Sequence, residues 1–471
     1  MQIRNPRTGK YDYEIQEDSL SDVSQTAIRL RENQQTWAER PIEEKVKYIL
    51  QLADAMDANK EKIISALSID TGRKRISEIE YSGAIGVIRG RCYSSPALYI
   101  PAPARNSVTC STVQIHQQLV PYNLVGIISP WNFPLLLAMI DTIPALLAGC
   151  AVLLKPSEVT PRFIQPMEEI LKDIPELHEV LHIVKGGVES GKAVVENVDA
   201  ICFTGSVPTG KIIAKRCAER FIPAFLELGG KDPAIVMADA DLDLTAEAII
   251  RSAVGATGQA CQSLERIYVH ESISEELTER IIAKVNELKL NTDDISHGTL
   301  GPLIFHKQSE IIKNQIEDAI AKGAIVHTGG VIENHNGGLW MHATVISNVT
   351  HDMDIMTEET FGPVIPIMPY SNLDKAIEWC NNTVYGLSAS VFSQDNDQAI
   401  KVAYQIEAGG ISINDASLTN KVFDATKNSF KDSGMNGSRM GSDGFLRFFR
   451  KKAILIQRGA VSSILEQSET E

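Results

Sequence analysis

The sequence predicts an α/β protein. Two units, each a parallel sheet wrapped by helices, are joined by a small β element. Three observations carry this. From residue 124, short apolar runs alternate with helical stretches: LVGIIS (124–129), AVLLKP (151–156), LHIVKG (181–186) and AICFTGS (200–206). The alternation starts afresh after LELGGK, with PAIVM (233–237), RIYVH (266–270), LSASVFS (387–393) and GISIND (410–415). Apolar strands separated by helices mean βαβ units and a sheet buried on both faces. Two β-rich stretches fall outside both series, STVQIHQQLV (111–120) and the late FLRFFRKKAILIQ (445–457).

The elements follow in order. Residues 41–73 carry Val46, Ile49, Leu50, Ala53 and Met56 at three- and four-residue steps and end on Gly72, which predicts helix. STVQIHQQLV alternates in part and predicts an edge strand or hairpin arm. Residues 135–154 approach the length of a membrane span, but Asp141 and Pro144 interrupt them. The expectation there is a buried helix running into a buried strand. In the first unit PRFIQPMEEILKDI and GKAVVENV predict helices, and in the second LDLTAEAIIRSAVGA does. The terminal strand has little chain left to cover it and is expected to pair with another element or subunit.

Composition narrows the function. The 471 residues are 44% apolar and 22% charged, with net charge −15. Such acidity repels phosphate backbones and argues against nucleic-acid binding. Seven cysteines (92, 110, 150, 202, 217, 261, 380) are widely spaced and form no CxxC pair. That argues against a disulfide framework and a structural zinc site, and the expected setting is a reducing cytoplasm without bound metal. The opening MQIRNPRTGKYDYEI holds no apolar signal-peptide core.

Ligands of parallel sheets sit at the carboxyl ends of the strands. Pro130-Trp131-Asn132, Lys155 and Gly205-Ser206 fall there. AICFTGSVPTGKIIAKRC predicts a strand, a glycine turn and a helix whose N-terminus faces an anion. It lacks the full GxGxxG fingerprint, and an ordinary strand-to-helix turn reads it equally well. Lys155 and Glu158 leave a second strand end three residues apart. A carboxylate there suits the two hydroxyls of an adenosine ribose and repels a 2′-phosphate, favouring NAD over NADP. The same two charges would also suit a solvated loop.

PWNFP (130–134), KPSEVTP (155–161), FTGSVPTG (203–210), LELGGK (226–231), GQAC (258–261) with Arg266 behind it, EETFGP (358–363) and YGLSASVF (385–392) occur in one order. In that order the chain resembles the aldehyde dehydrogenase superfamily, from about residue 4 to about residue 415. The resemblance implies a Rossmann-like cofactor-binding domain (1–105 and 122–229), an α/β catalytic domain (230–430) and a small β oligomerisation element (106–121 and 445–471). It also implies NAD-dependent oxidation of an aldehyde through a cysteine thiohemiacetal and thioester, in a homodimer or homotetramer.

The roles it implies are chemically coherent. Cys261 is the nucleophile; a free thiol with a pKa near ~8.5 is mostly protonated at neutrality and needs a base. Glu227 is that base, flanked by Leu226 and Leu228, an apolar setting expected to raise its pKa. Relatives that pass the acyl group to coenzyme A tend to lack this glutamate, so its presence points to water as acceptor and a free acid as product. Asn132 donates to the oxyanion together with the backbone N–H of Cys261. Trp131 packs beside the cofactor, Lys155 and Glu158 take the adenine ribose, and Ser206 takes the pyrophosphate. Glu359 takes the nicotinamide ribose and Phe361 packs near its ring, while Gly205 and Gly229 admit the backbone closely.

There are departures. The segment after 415 lacks the family's PFGG pattern and keeps only KNSFKDSG (427–434) of it. This segment shapes the family's substrate entrance, so the aldehyde stays open. Val207 has no hydroxyl for a phosphate, so Ser206 is expected to act alone. Ala256 replaces the family's usual asparagine. The alternatives are an NADP-preferring or semialdehyde-specific relative and a catalytically silent scaffold. A thiol hydrolase is disfavoured because none of the ten histidines stands in a partner motif.

Overall fold

The computed structural model describes residues 1–100, 102–461, 463 and 464. The first unit holds a six-stranded sheet. Its order is Gly434–Met435, Ala224–Glu227, Ala200–Thr204, Leu124–Ile128, Ala151–Lys155 and Leu181–Ile183. All neighbours are parallel except Gly434–Met435, which runs antiparallel to Ala224–Glu227. Each apolar run that the sequence marks as a strand in this unit is one.

The second sheet has seven strands: Ile325–Thr328, Thr344–Ser347, Val364–Tyr370, Leu264–His270, Asp232–Val236, Ser388–Phe392 and Gly410–Ile413. Only Ile325–Thr328 is antiparallel to its neighbour. Both sheets are covered by helices, as a doubly apolar sheet requires. The expected α/β class is therefore observed.

The helical stretch 41–73 divides. Ile42–Ala58 and Lys60–Thr71 meet at Asn59, whose φ of −108° and ψ of 17° leave the helical range, and Gly72 ends the second at φ 66°. The apolar 135–154 stretch is the helix Pro134–Ala148 followed at Gly149 by the strand Ala151–Lys155, both buried. Among the described residues no helix is long and apolar enough to cross a membrane.

The late strand finds its partner inside the chain. Phe449–Gln457 runs antiparallel to Val113–Pro121 through nine residue pairs, from Phe449↔Pro121 to Gln457↔Val113. Arg105–Asn106 adds a third strand. Ile454 and Leu455 remain exposed on it. Residues 462 and 465–471 of the expected oligomerisation element lie outside the described residues.

Candidate active site

A cavity of about 680 Å³ opens at the carboxyl ends of the first sheet. Trp131, Asn132, Lys155, Glu158, Gly205, Ser206, Gly229, Cys261, Glu359 and Phe361 all line it. Residues 230 positions apart in the chain thus share one wall. Glu227 alone of the expected set does not; its neighbours Leu228 and Gly229 do.

Cys261 reaches the cavity because of the turn before it. Ala256, Thr257 and Gly258 are left-handed (φ 55°, 60° and 68°). A Cβ at Gly258 would overlap the backbone of Gly362, so only glycine lets this turn pack on the Phe361–Pro363 segment. Gln259, fully buried, accepts from Ile304 N–H at 2.8 Å and donates to Pro302 O at 3.1 Å. Cys261 is part-exposed, whereas five other cysteines are buried and Cys110 is exposed away from the cavity. Burial pushes its thiol up to about 12, and the nearby carboxyls of Asp232 and Glu359 add to the shift.

Asn132 is buried, and its Nδ2 donates one hydrogen to Gln259 O at 3.0 Å. The backbone N–H of Cys261 makes no hydrogen bond to a described residue. Sequence reasoning missed the residue that joins these two loops. Arg73 donates to Asn132 O at 2.7 Å and to Ala256 O at 2.8 Å, stapling the PWNFP loop to the cysteine turn. Its guanidinium lies 5.6 Å from the Phe133 ring centroid. Nothing local marks it, because its partners are carbonyls 59 and 183 residues away.

Glu227 meets a different setting from the expected one. Its carboxylate accepts the Ser429 hydroxyl at 2.8 Å. Ser429 and Ser433, whose hydroxyl donates to Gly229 O at 2.7 Å, both come from the KNSFKDSG stretch.

Lys155 and Glu158 form a 2.8 Å ion pair, the lysine buried and the carboxylate side chain 38% exposed. Ser206 caps the helix Val207–Arg220, which begins directly after it with no intervening turn. Pro208 removes one N–H from that terminus. Ser206 does not stand alone: its hydroxyl bonds Thr209 Oγ1 at 3.0 Å, and Thr209 also lines the cavity. A Cβ on Gly187 would meet no atom within 4 Å and one on Gly191 only Ile128 at 4.0 Å, so this wall offers bare backbone to a ligand. Glycine backbone, a helix N-terminus and a lysine–glutamate pair fit a dinucleotide.

Glu359 accepts from Gly230 N–H at 3.1 Å, and burial raises its carboxyl to about 8, helped by Glu265. Phe361, left-handed at φ 52°, sets its ring edge-on to Trp131 at 5.3 Å. That strained turn is held by Glu265, which accepts the N–H groups of Thr360 and Phe361 at 2.8 Å each and pairs with buried Lys231 at 2.8 Å. Arg266 is structural: it donates to the carbonyls of Lys231, Trp379 and Cys380. Among the described residues no cluster of three metal-ligating side chains occurs.

Fold and site together define a doubly wound α/β protein with a dinucleotide-sized cleft and one cysteine on its wall. The aldehyde dehydrogenase family model matches residues 1–454, and the chain belongs to that family of oxidoreductases. It is 34% identical over 458 residues to a Mycolicibacterium smegmatis protein provisionally named succinate-semialdehyde dehydrogenase [NADP(+)], covering 96% of this chain and 87% of that one. The structure of the provisionally named aldehyde dehydrogenase PutA from Anabaena variabilis matches at TM-score 0.96 and 47% identity, over 98% of this chain and 99% of that one. A Mycobacterium tuberculosis aldehyde dehydrogenase complexed with NAD+ matches at TM-score 0.90 and 30% identity, covering 98% and 95%.

Proposed function

We propose that this protein oxidises an aldehyde to its carboxylic acid with NAD, using Cys261 as nucleophile, Glu227 as base and Asn132 as oxyanion donor. The observation that carries the reading is the shared cavity wall of Cys261 and Asn132 with Lys155, Glu158, Ser206 and Glu359. Residues 1–105 and 122–229 are then the cofactor-binding domain, 230–430 the catalytic domain, and 106–121 with 445–471 the element joining subunits. Family membership supports the reaction class, and the shared cavity wall supports the residue roles.

A thiol raised to about 12 must lose its proton before it attacks. Glu227 takes that proton, directly or through one water. The thiolate of Cys261 adds to the aldehyde carbon, and the carbonyl oxygen becomes an oxyanion. The second Nδ2 hydrogen of Asn132 and the backbone N–H of Cys261 donate to it. When bound, the nicotinamide supplies the acceptor for the hydride that leaves this carbon. Glu227 releases the first proton to solvent and, as a carboxylate again, draws a proton from a water that attacks the remaining thioester; the C–S bond breaks, and the acid departs from a regenerated thiolate.

Lys155 and Glu158 would hold the adenine ribose, with the carboxylate selecting NAD. The name of the Mycolicibacterium relative favours a second reading, an NADP-preferring or semialdehyde-specific enzyme. The test is to follow reduced nicotinamide by absorbance with a panel of aldehydes and each cofactor, alongside Cys261→Ala and Glu227→Gln. Cys261→Ala should abolish turnover, and Glu227→Gln should leave at most a single-turnover burst. Unchanged steady-state turnover in Glu227→Gln refutes the assignment of the base.

A further inference from the structure

The divergent segment brings one cation to the nucleophile. Lys427 is 8% exposed, and its backbone N–H donates to Ser438 Oγ at 3.2 Å. Its ammonium forms no hydrogen bond or ion pair with a described residue. The stem of the side chain is buried while the unpartnered ammonium keeps access to solvent, which leaves it free to meet an anion.

The surroundings put that place beside Cys261. Lys427 Cδ lies 3.2 Å from where a Cβ on Gly410 would stand. Gly410 pairs in register with Ser388, whose N–H and hydroxyl both bond Asp232. Asp232 Oδ1 and the carbonyl oxygen of Cys261 each lie 2.7 Å from the Cβ position of Gly230. Thr419, which also packs on Gly410, sends its hydroxyl to Gln262, the residue after the nucleophile. Lys427 therefore stands over the strand ends that carry Asp232 and Cys261.

Charge separates this residue from its neighbours. Asp232, Glu359 and Glu227 push the Cys261 thiol upward, and Lys427 opposes them. Burial holds Asp232 near 7, which weakens it as a permanent counter-charge for Lys427. Lys427 does not line the cavity that fits the dinucleotide.

Resting on the function proposed above, we infer that Lys427 anchors a carboxylate at the far end of the aldehyde, making the substrate class short aldehydes that carry a terminal acid group. Among the charged groups that act most strongly on the thiol, Lys427 is the cation and so the place where an anionic tail is attracted. A carboxylate there pairs with an ammonium that has no partner among the described residues.

The test compares kcat/KM for succinic and glutaric semialdehydes with that for butanal and pentanal, in the wild type and in Lys427→Met and Lys427→Arg. Methionine keeps the aliphatic stem and removes the charge. The expected result is that Lys427→Met lowers kcat/KM about 10- to 100-fold more for the semialdehydes than for the uncharged aldehydes, and that Lys427→Arg retains most of the preference. Equal loss on both classes overturns the inference and makes Lys427 an activator of the thiol; no loss on either overturns it as well. Should the wild type oxidise butanal through Cys261 with no preference for the semialdehydes, the inference falls while the proposed function stands. Oxidation of no aldehyde defeats the function itself. Binding of succinate, read as protection of Cys261 from iodoacetamide in the wild type but not in Lys427→Met, tests the anchor without turnover: protection equal in both overturns it.

Discussion

Ser429 donates its hydroxyl proton to Glu227 Oε2 across 2.8 Å, joining a loop of the divergent segment to the end of a central strand 202 residues earlier. The bond gives the carboxylate one fixed partner outside the cavity wall. Glu227 is then oriented by a residue that no local pattern connects with it.

Ser429→Ala should leave hydride transfer in the first turnover intact and slow steady-state turnover by about 2- to 10-fold, the usual worth of one hydrogen bond. Stopped-flow measurement of the burst against the steady rate separates the two. Ser429→Thr keeps the hydroxyl and should restore most of the rate. A slowed burst would show that the serine acts on the cysteine step instead.

Arg73 joins the loops of Asn132 and Cys261 through two buried carbonyls. Arg73→Met strands both acceptors, and each unsatisfied group costs about 1–3 kcal/mol. The variant should be destabilised by about 2–4 kcal/mol in chemical denaturation. Its kcat should fall more than its cofactor affinity, because the oxyanion donors move while Lys155 and Glu158 stay. Equal losses in both would mean general loosening of the fold.

Gly229 faces the Glu359 carboxylate: a Cβ there would lie 2.6 Å from Oε2 and 2.7 Å from Oε1. Those atoms end a flexible side chain, so Gly229→Ala should fold but displace the carboxylate from the cavity. NAD binding, followed by quenching of tryptophan fluorescence, should weaken by about 10- to 100-fold, the range for hydrogen bonds to a charged group. Affinity equal to wild type would remove Glu359 from the cofactor site.

The Glu359 carboxyl sits near 8 in the folded protein against about 4.3 in an unfolded chain. Between those values the folded state binds the extra proton, so stability falls as pH rises. This contribution is complete below about pH 4 and lost as pH passes through 8. Glu359→Gln removes the titration. Urea midpoints of the unliganded variant between pH 5.5 and 8.5 should decline less steeply than those of the wild type. Parallel declines would place the effect on other groups.

Four strands in each unit were legible, though not their order in the sheets, because a strand buried on both faces must be apolar throughout; Ala224–Glu227 and Val364–Tyr370 were not read. The cysteine, the asparagine and the residues proposed for the cofactor, which share one cavity, were legible because each sits in a short motif at a strand end or tight turn. The sequence did not show the spatial partners of two expected residues. Glu227 meets Ser429, 202 residues away in the chain. Ser206 was expected to act alone because Val207 offers no hydroxyl, yet the helix brings Thr209 beside it.

The amino-acid sequence by itself determined the fold class and the family, and pointed to Cys261 as the candidate nucleophile, since these depend on local periodicity and on motifs a few residues long. Only the tertiary structure decided which side chains orient that chemistry. Arg73, Ser429 and Lys427 reach the site from 59 to 202 residues away in the chain, or by packing over a distant strand. Their partners are backbone carbonyls, a carboxylate and a buried space. None of these leaves a periodic mark, because a hydrogen bond or a charge acts through distance in space and not through separation along the chain.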